Sequence, residues 1–154
     1  MRKRIIGTVL QEPEQGWLNL ESLAEVEITS EDPAHPIESA LLPGGASGWR
    51  AAVPGKQTIR LLFTHPQRIR RIRLNFVEAL TERTQEYVLR WLPDGGQSFR
   101  EIVRQQWNFN PQGATSEMED HHVELAAVTV LELIIIPDIS GQEAFASLAQ
   151  LRLA

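Results

Sequence analysis

The sequence predicts an all-β fold, an antiparallel β-sandwich of the jelly-roll type with about eight strands. Short runs with a two-residue apolar alternation recur along the 154 residues, and turn-forming residues separate most of them. No stretch of 10–15 residues carries a clean helical period, which argues against alternating βαβ units and a parallel sheet. The most apolar run, VTVLELIII at 128–136, reads as a strand at the centre of a sheet, covered on both faces or nearly so.

The elements follow in order. Residues 1–16 are expected to form an N-terminal strand or arm of a single domain spanning 1–154. Met1-Arg2-Lys3-Arg4 has the basic character of an export leader. The apolar run after it, Ile5–Leu10, is broken by Gly7 and Thr8 and runs into Glu12-Pro13-Glu14, too short for such a leader. Asn19–Leu23 reads as a turn or helix start. Ala24–Thr29 alternates, with Val26 and Ile28 inward. Two prolines make 30–36 a loop, Ile37–Leu42 allows one helical turn, and the glycine-rich 43–48 delivers Trp49.

The central stretch is GWRAAVPGKQTIRLLFTHPQRIRRIRLNF, 48–76. Ile59, Leu61 and Phe63 alternate in Thr58–Phe63, and Ile72, Leu74 and Phe76 in Arg71–Phe76, leaving the arginines toward water. Pro66 lacks an N–H, so the turn His65-Pro66-Gln67 is expected to stop the ladder between two strands. Residues 78–86 read as a loop, with a short helix over 77–83 as the alternative. Tyr87, Leu89 and Trp91 share one face of a strand that ends at the turn Pro93-Asp94-Gly95-Gly96. Phe99–Phe109 resumes as strand with an irregularity near Gln105-Gln106. Glu117–Leu125, Val128–Ile136 and Ala146–Leu153 complete the set, the last with Ala149, Leu151 and Leu153 inward.

Composition narrows the function. A net charge of −5 argues against a nucleic-acid partner. No apolar run reaches the length of about 18 residues that a membrane helix requires. There is no cysteine, so no step depends on an oxidising compartment. With no leader and no span, a cytoplasmic location without a membrane partner is expected. Catalytic signatures are missing: no Gly-x-Ser-x-Gly, no phosphate-cradling glycine loop before a helix and no His-Glu-x-x-His, so the chain reads as no enzyme. Glu117, Glu119 and His121 share a strand face, but residues two apart lie about 7 Å from one another. They read as a solvated acidic edge, with no metal site.

The segments AEVEITS, HPIESALLPGGASGWRA, QTIRLLF, RIRRIRLNF, EYVLRWLPDGGQSF, VTVLELII and ASLAQLRLA follow one another in this order. Taken together they resemble the galactose-binding-like jelly rolls, the discoidin or coagulation-factor C-type domains and related carbohydrate-binding modules, a resemblance that covers roughly Leu20 to Ala154. The resemblance implies a non-catalytic module that binds carbohydrate through loops at one end of the sandwich. By loop position the ligand-binding candidates are His35, Arg50, Glu82, Arg83 and Trp107. Each has a plainer reading: Arg50 paired to an acid, His35 solvated, Trp107 in the core, as Trp49 is expected to be. The resemblance also implies a structural calcium in many members, held by an early Asp and a Glu of the last strand. Here Pro43 and Gln150 stand at those places, and Ca²⁺ wants several oxygens including carboxylates, so no cofactor is expected. The alternative reading is a protein–protein interaction domain of the same fold. It would use a sheet face or a basic stripe of Arg60, Arg71 and Arg73 with Arg68, Arg70 and Arg90.

Overall fold

The computed structural model describes residues 16–154 apart from Ala46, and the strand or arm expected at 1–16 lies almost wholly outside them. Its two longest elements are β3 (Gln57–Val77) and β6 (Ser116–Ile136), paired antiparallel along their length. Each joins two segments expected to be separate strands, and Pro66 interrupts the ladder without ending it. Leu62 pairs with Val130 and Gln67 with Val128, so residues 63–66 stand opposite Thr129 alone. Pro66, with no donor to offer, sits in this bulge, and the strand bends and continues.

The bend folds the β3–β6 pair into two layers. One layer contains β1 (Ala24–Ile28), the first half of β3, the second half of β6, β4 (Arg83–Pro93) and β5 (Arg100–Phe109). In the other, the second half of β3 lies between the first half of β6 and β8 (Gln150–Leu153). Beside the end of β3, β7 (Ser147–Leu148) pairs with β2 (Trp49–Arg50). The layers meet where the Phe76 ring stacks on Tyr87 at 5.2 Å and the Tyr87 hydroxyl hydrogen-bonds His121 Nε2 at 2.8 Å. Two single turns, α1 (Leu20–Leu23) and α2 (Glu38–Leu41), bury Leu20, Ala40 and Leu41 against the same core.

The alternation places the core as expected. Ile59, Leu61, Ile72, Leu74, Phe76, Leu131, Leu133, Leu151 and Leu153 are all buried, each contributing at most about 1.5–3 kcal/mol. Trp49 is buried, and its indole N–H donates to the Ser30 carbonyl at 3.1 Å. The turn at 93–96 forms with Gly95 at φ +73° and Gly96 N–H donating to Pro93 O.

Several expectations need correcting. Val26 is 36% exposed, because β1 is an edge strand. β4 begins at Arg83, inside the stretch read as a loop, and the irregularity in β5 falls at Ile102, between the pairs Leu89–Val103 and Arg90–Glu101. The last strand divides at Ala149, its halves pairing with β2 and β3. β6 is central between β3 and β4, yet Val130, Ile134 and Ile136 on its outer side are only half-buried.

The basic stripe does not form. Arg60 and Arg90 lie on the first layer, both bonded to Glu132. Arg71 and Arg73 lie on the second, both bonded to Asp120, and Arg68 and Arg70 at the bend face Glu124. Among the described residues no helix is long and apolar enough to cross a membrane.

Candidate functional site

Folding the long pair brings five connections to one end: 29–36, 51–56, 78–82, 110–115 and 137–146. Backbone bonds tie the first, second and last together. Asp32 N–H donates to Arg50 O at 2.9 Å and Arg50 N–H to His35 O at 3.2 Å, while Ala51 N–H donates to Ala146 O at 2.9 Å. Ser30 anchors the group from below, its hydroxyl donating to Gln57 Oε1 at 2.7 Å and accepting from Ala52 N–H at 3.0 Å.

On this frame stand Asp32, His35, Arg50 and Phe145. The Ala34 amide and the His35 imidazole hold Asp32 below the usual carboxylate range. Asp32 is therefore ionised at neutral pH, so the 3.3 Å contact to Oδ2 is donated by His35 Nδ1–H. Arg50 is exposed, with its guanidinium 5.1 Å from the centroid of the Phe145 ring. Four side chains thus offer a cation, a carboxylate, an imidazole and an aromatic ring within one loop cluster. That set can hydrogen-bond hydroxyls from several directions while an apolar face lies on the ring.

Phe145 was not among the residues singled out from the sequence. Its neighbours Ala144 and Ala146 are buried, so the alternation turns Phe145 to the other side, where it is half-buried. A lone aromatic between two small residues before the last strand is the signal that could have found it.

The other expected residues fall elsewhere. Glu82 is exposed and lines a polar cleft of about 380 Å³ with Thr84, Asn108, Asp138 and Ser140. Arg83 borders that cleft but is only 2% exposed; two of its nitrogens are engaged, and Nη2 is buried without a partner. Nε bonds Glu78 Oε1 at 2.9 Å; Nη1 bonds Pro137 O at 2.9 Å and Gln85 Oε1 at 3.1 Å. The guanidinium lies 4.8 Å from the Phe109 ring centroid. Burial works against the Glu78 charge, yet the Arg83 bond and the Leu80 amide outweigh it and hold Glu78 below its ordinary pKa. Arg83 is thus placed to clamp 78–82 to 137. Trp107 is half-buried on β5 opposite Gln85 and packs on the core, its indole nitrogen shielded from water.

The acidic segment does not form a solvated edge. Glu117 is 1% exposed between the layers, both carboxyl oxygens without a hydrogen bond, beside Gln85 and Glu119. Burial, reinforced by Glu119, pushes Glu117 up to about 8. Among the described residues no three His, Asp or Glu side chains are placed to share a metal ion.

No family model and no curated protein matches the sequence. Solved structures do match, over most of the chain. A family 32 carbohydrate-binding module from C. perfringens NanJ in complex with galactose aligns with a TM-score of 0.66 at 13% identity, covering 89% of this chain and 96% of that one. The Clostridium perfringens module CpGH89CBM32-5, in complex with GalNAc-β-1,3-galactose, aligns with a TM-score of 0.66 at 18% identity over 90% and 99%. The family 32 module of AlyQ, in complex with 4,5-unsaturated mannuronic acid, aligns with a TM-score of 0.57 at 14% identity over 86% and 95%. The fold is therefore the galactose-binding-like jelly roll of these modules.

Proposed function

We propose that the chain is a non-catalytic carbohydrate-binding module that takes a galactose-type sugar in the cluster of Asp32, His35, Arg50 and Phe145. The observation that carries the reading is the Arg50 guanidinium poised against the Phe145 ring, beside a His35 oriented by Asp32. A pyranose needs both features: an apolar face to rest on a ring and hydroxyls to meet charged donors and acceptors. Likeness in fold to modules whose structures hold galactose and GalNAc-β-1,3-galactose adds weight to that sugar class.

In this reading Arg50 donates to two neighbouring hydroxyls, His35 Nε2 hydrogen-bonds a third, and Phe145 carries the sugar's C–H face. Arg83 and Trp107 stay out of the contact set, and Glu82 belongs to the neighbouring cleft. The cytoplasmic location expected from the first residues gains nothing from the fold, and free glycan outside a cell is an equally suitable target. Such a small site binds weakly, with Kd micromolar or higher.

Isothermal titration with galactose and N-acetylgalactosamine tests the proposal, with unsaturated mannuronate as a second arm. Heat with the first two that disappears in Arg50→Ala and Phe145→Ala is expected. Silence with every sugar, or unchanged binding in both variants, would sink it.

A further inference from the structure

The glycine-rich loop that delivers Trp49 carries a feature of its own. α2 ends at Leu41; its Glu38 carbonyl accepts from the Leu42 N–H, while the later carbonyls of so short a helix have no i+4 partner within it. Two carbonyls at this end, those of Ala40 and Leu42, point at one side chain. Arg152, on β8, donates from Nη1 to Ala40 O at 2.9 Å and from Nη2 to Leu42 O at 3.2 Å, and Nη1 also reaches Leu151 O at 2.9 Å. The guanidinium thus fills the space between the loop and the last strand.

The calcium that the family resemblance implies would bind at this junction of early loop and last strand, and the residues here do not fit it. Ca²⁺ takes six to eight oxygens at about 2.3–2.6 Å, several of them from carboxylates. The loop from 37 to 48 holds one carboxylate, Glu38, and Gln150 is a neutral amide. Two of the carbonyls already accept from a cation. Arg73 is the strand partner of Arg152, and Arg71 is close by, with Asp120 bonded to both. A divalent ion would therefore meet a guanidinium already bonded to two of the oxygens it would need.

We infer that Arg152 is the built-in cation of this loop, so that the domain folds without calcium. A planar guanidinium with five donors suits carbonyls arriving from different directions, as a single ammonium does not.

The test is thermal melting of the whole chain without sugar, so its outcome is independent of the proposed ligand. The wild type should melt at the same temperature with 5 mM CaCl₂ as with excess chelator, and equilibrium dialysis against ⁴⁵Ca²⁺ should find no bound ion. Arg152→Gln should melt about 5 °C lower, from the loss of charge-assisted bonds to two carbonyls. Arg152→Lys, which keeps the charge but reaches fewer acceptors, should fall between them; it also serves if Arg152→Gln does not fold. Stoichiometric calcium binding or a calcium-dependent rise in the wild type overturns the inference. So does an Arg152→Gln variant that melts with the wild type.

Discussion

Arg50 and Phe145 come from strands that pair antiparallel, β2 and the lead-in to β7, and their side chains meet with guanidinium and ring centroid 5.1 Å apart. The contact is at the surface, where a cation–π pair contributes about 0.5–1 kcal/mol. Arg50→Ala should therefore leave chemical denaturation within about 1 kcal/mol of wild type. A larger loss would mean that Arg50 holds the loops together, and a binding defect in the variant would no longer report on a ligand contact.

Glu132 gives an asymmetric prediction. Its side chain is 1% exposed and bonds Arg60 Nε and Arg90 Nε, both at 2.7 Å, while those arginines are 44% and 35% exposed. Removing the acid lets both cations turn to water; removing both cations strands a buried carboxylate. Glu132→Leu should cost about 1 kcal/mol or less, and the double variant Arg60→Ala/Arg90→Ala about 3–5 kcal/mol. Equal costs in urea denaturation would refute the asymmetry.

Glu117 should make stability depend on pH. Its pKa rises from 4.5 when unfolded to about 8 when folded. Between those values the folded chain holds a proton that the unfolded chain has released, so stability falls as pH rises through this window and levels off above it. The facing groups are Glu119, Gln85 and Tyr87, and the paired Asp120, held at about 2 by Arg71 and Arg73, stays ionised throughout. Glu117→Gln should be more stable than wild type at pH 8.5, by a few kcal/mol at most, on the order of the linkage. If the two proteins show parallel pH profiles from 5 to 8.5, Glu117 does not titrate as described.

Gly48 should tolerate no side chain. Its φ is +67°, and an added Cβ would stand 2.8 Å from Leu148 O and 2.9 Å from Ala149 Cα, both backbone atoms. Gly48→Ala should cost at least about 2 kcal/mol from the strained backbone and the clash. A melting temperature within 2 °C of wild type would contradict that account.

The alternation of Ile59, Leu61, Ile72, Leu74, Leu151 and Leu153 reports which way a side chain faces, and these residues are core as read. It does not report partners. The polar run EALTERTQE reads as loop, but a salt bridge between Glu78 and Arg83 lets an arginine be buried there. Likewise Glu117 and Glu119 look like a solvent edge until the fold-over places β4 across from them. Pro66 reads as a strand end, yet β3 continues through it, because a proline ends a ladder only where its missing donor would be needed. His35 and Arg50 were placed at the loop end from the order of segments. Phe145 has no period of its own, and only its place between two small residues marks it.

The doubled-over course of β3 and β6 bears on how the molecule comes apart. Both walls share the same two unbroken lengths of backbone, so neither wall can melt while the other keeps its native hydrogen bonds across the crease. Heating should therefore give one calorimetric transition, and a clip in the backbone near residue 66 would damage both halves at once.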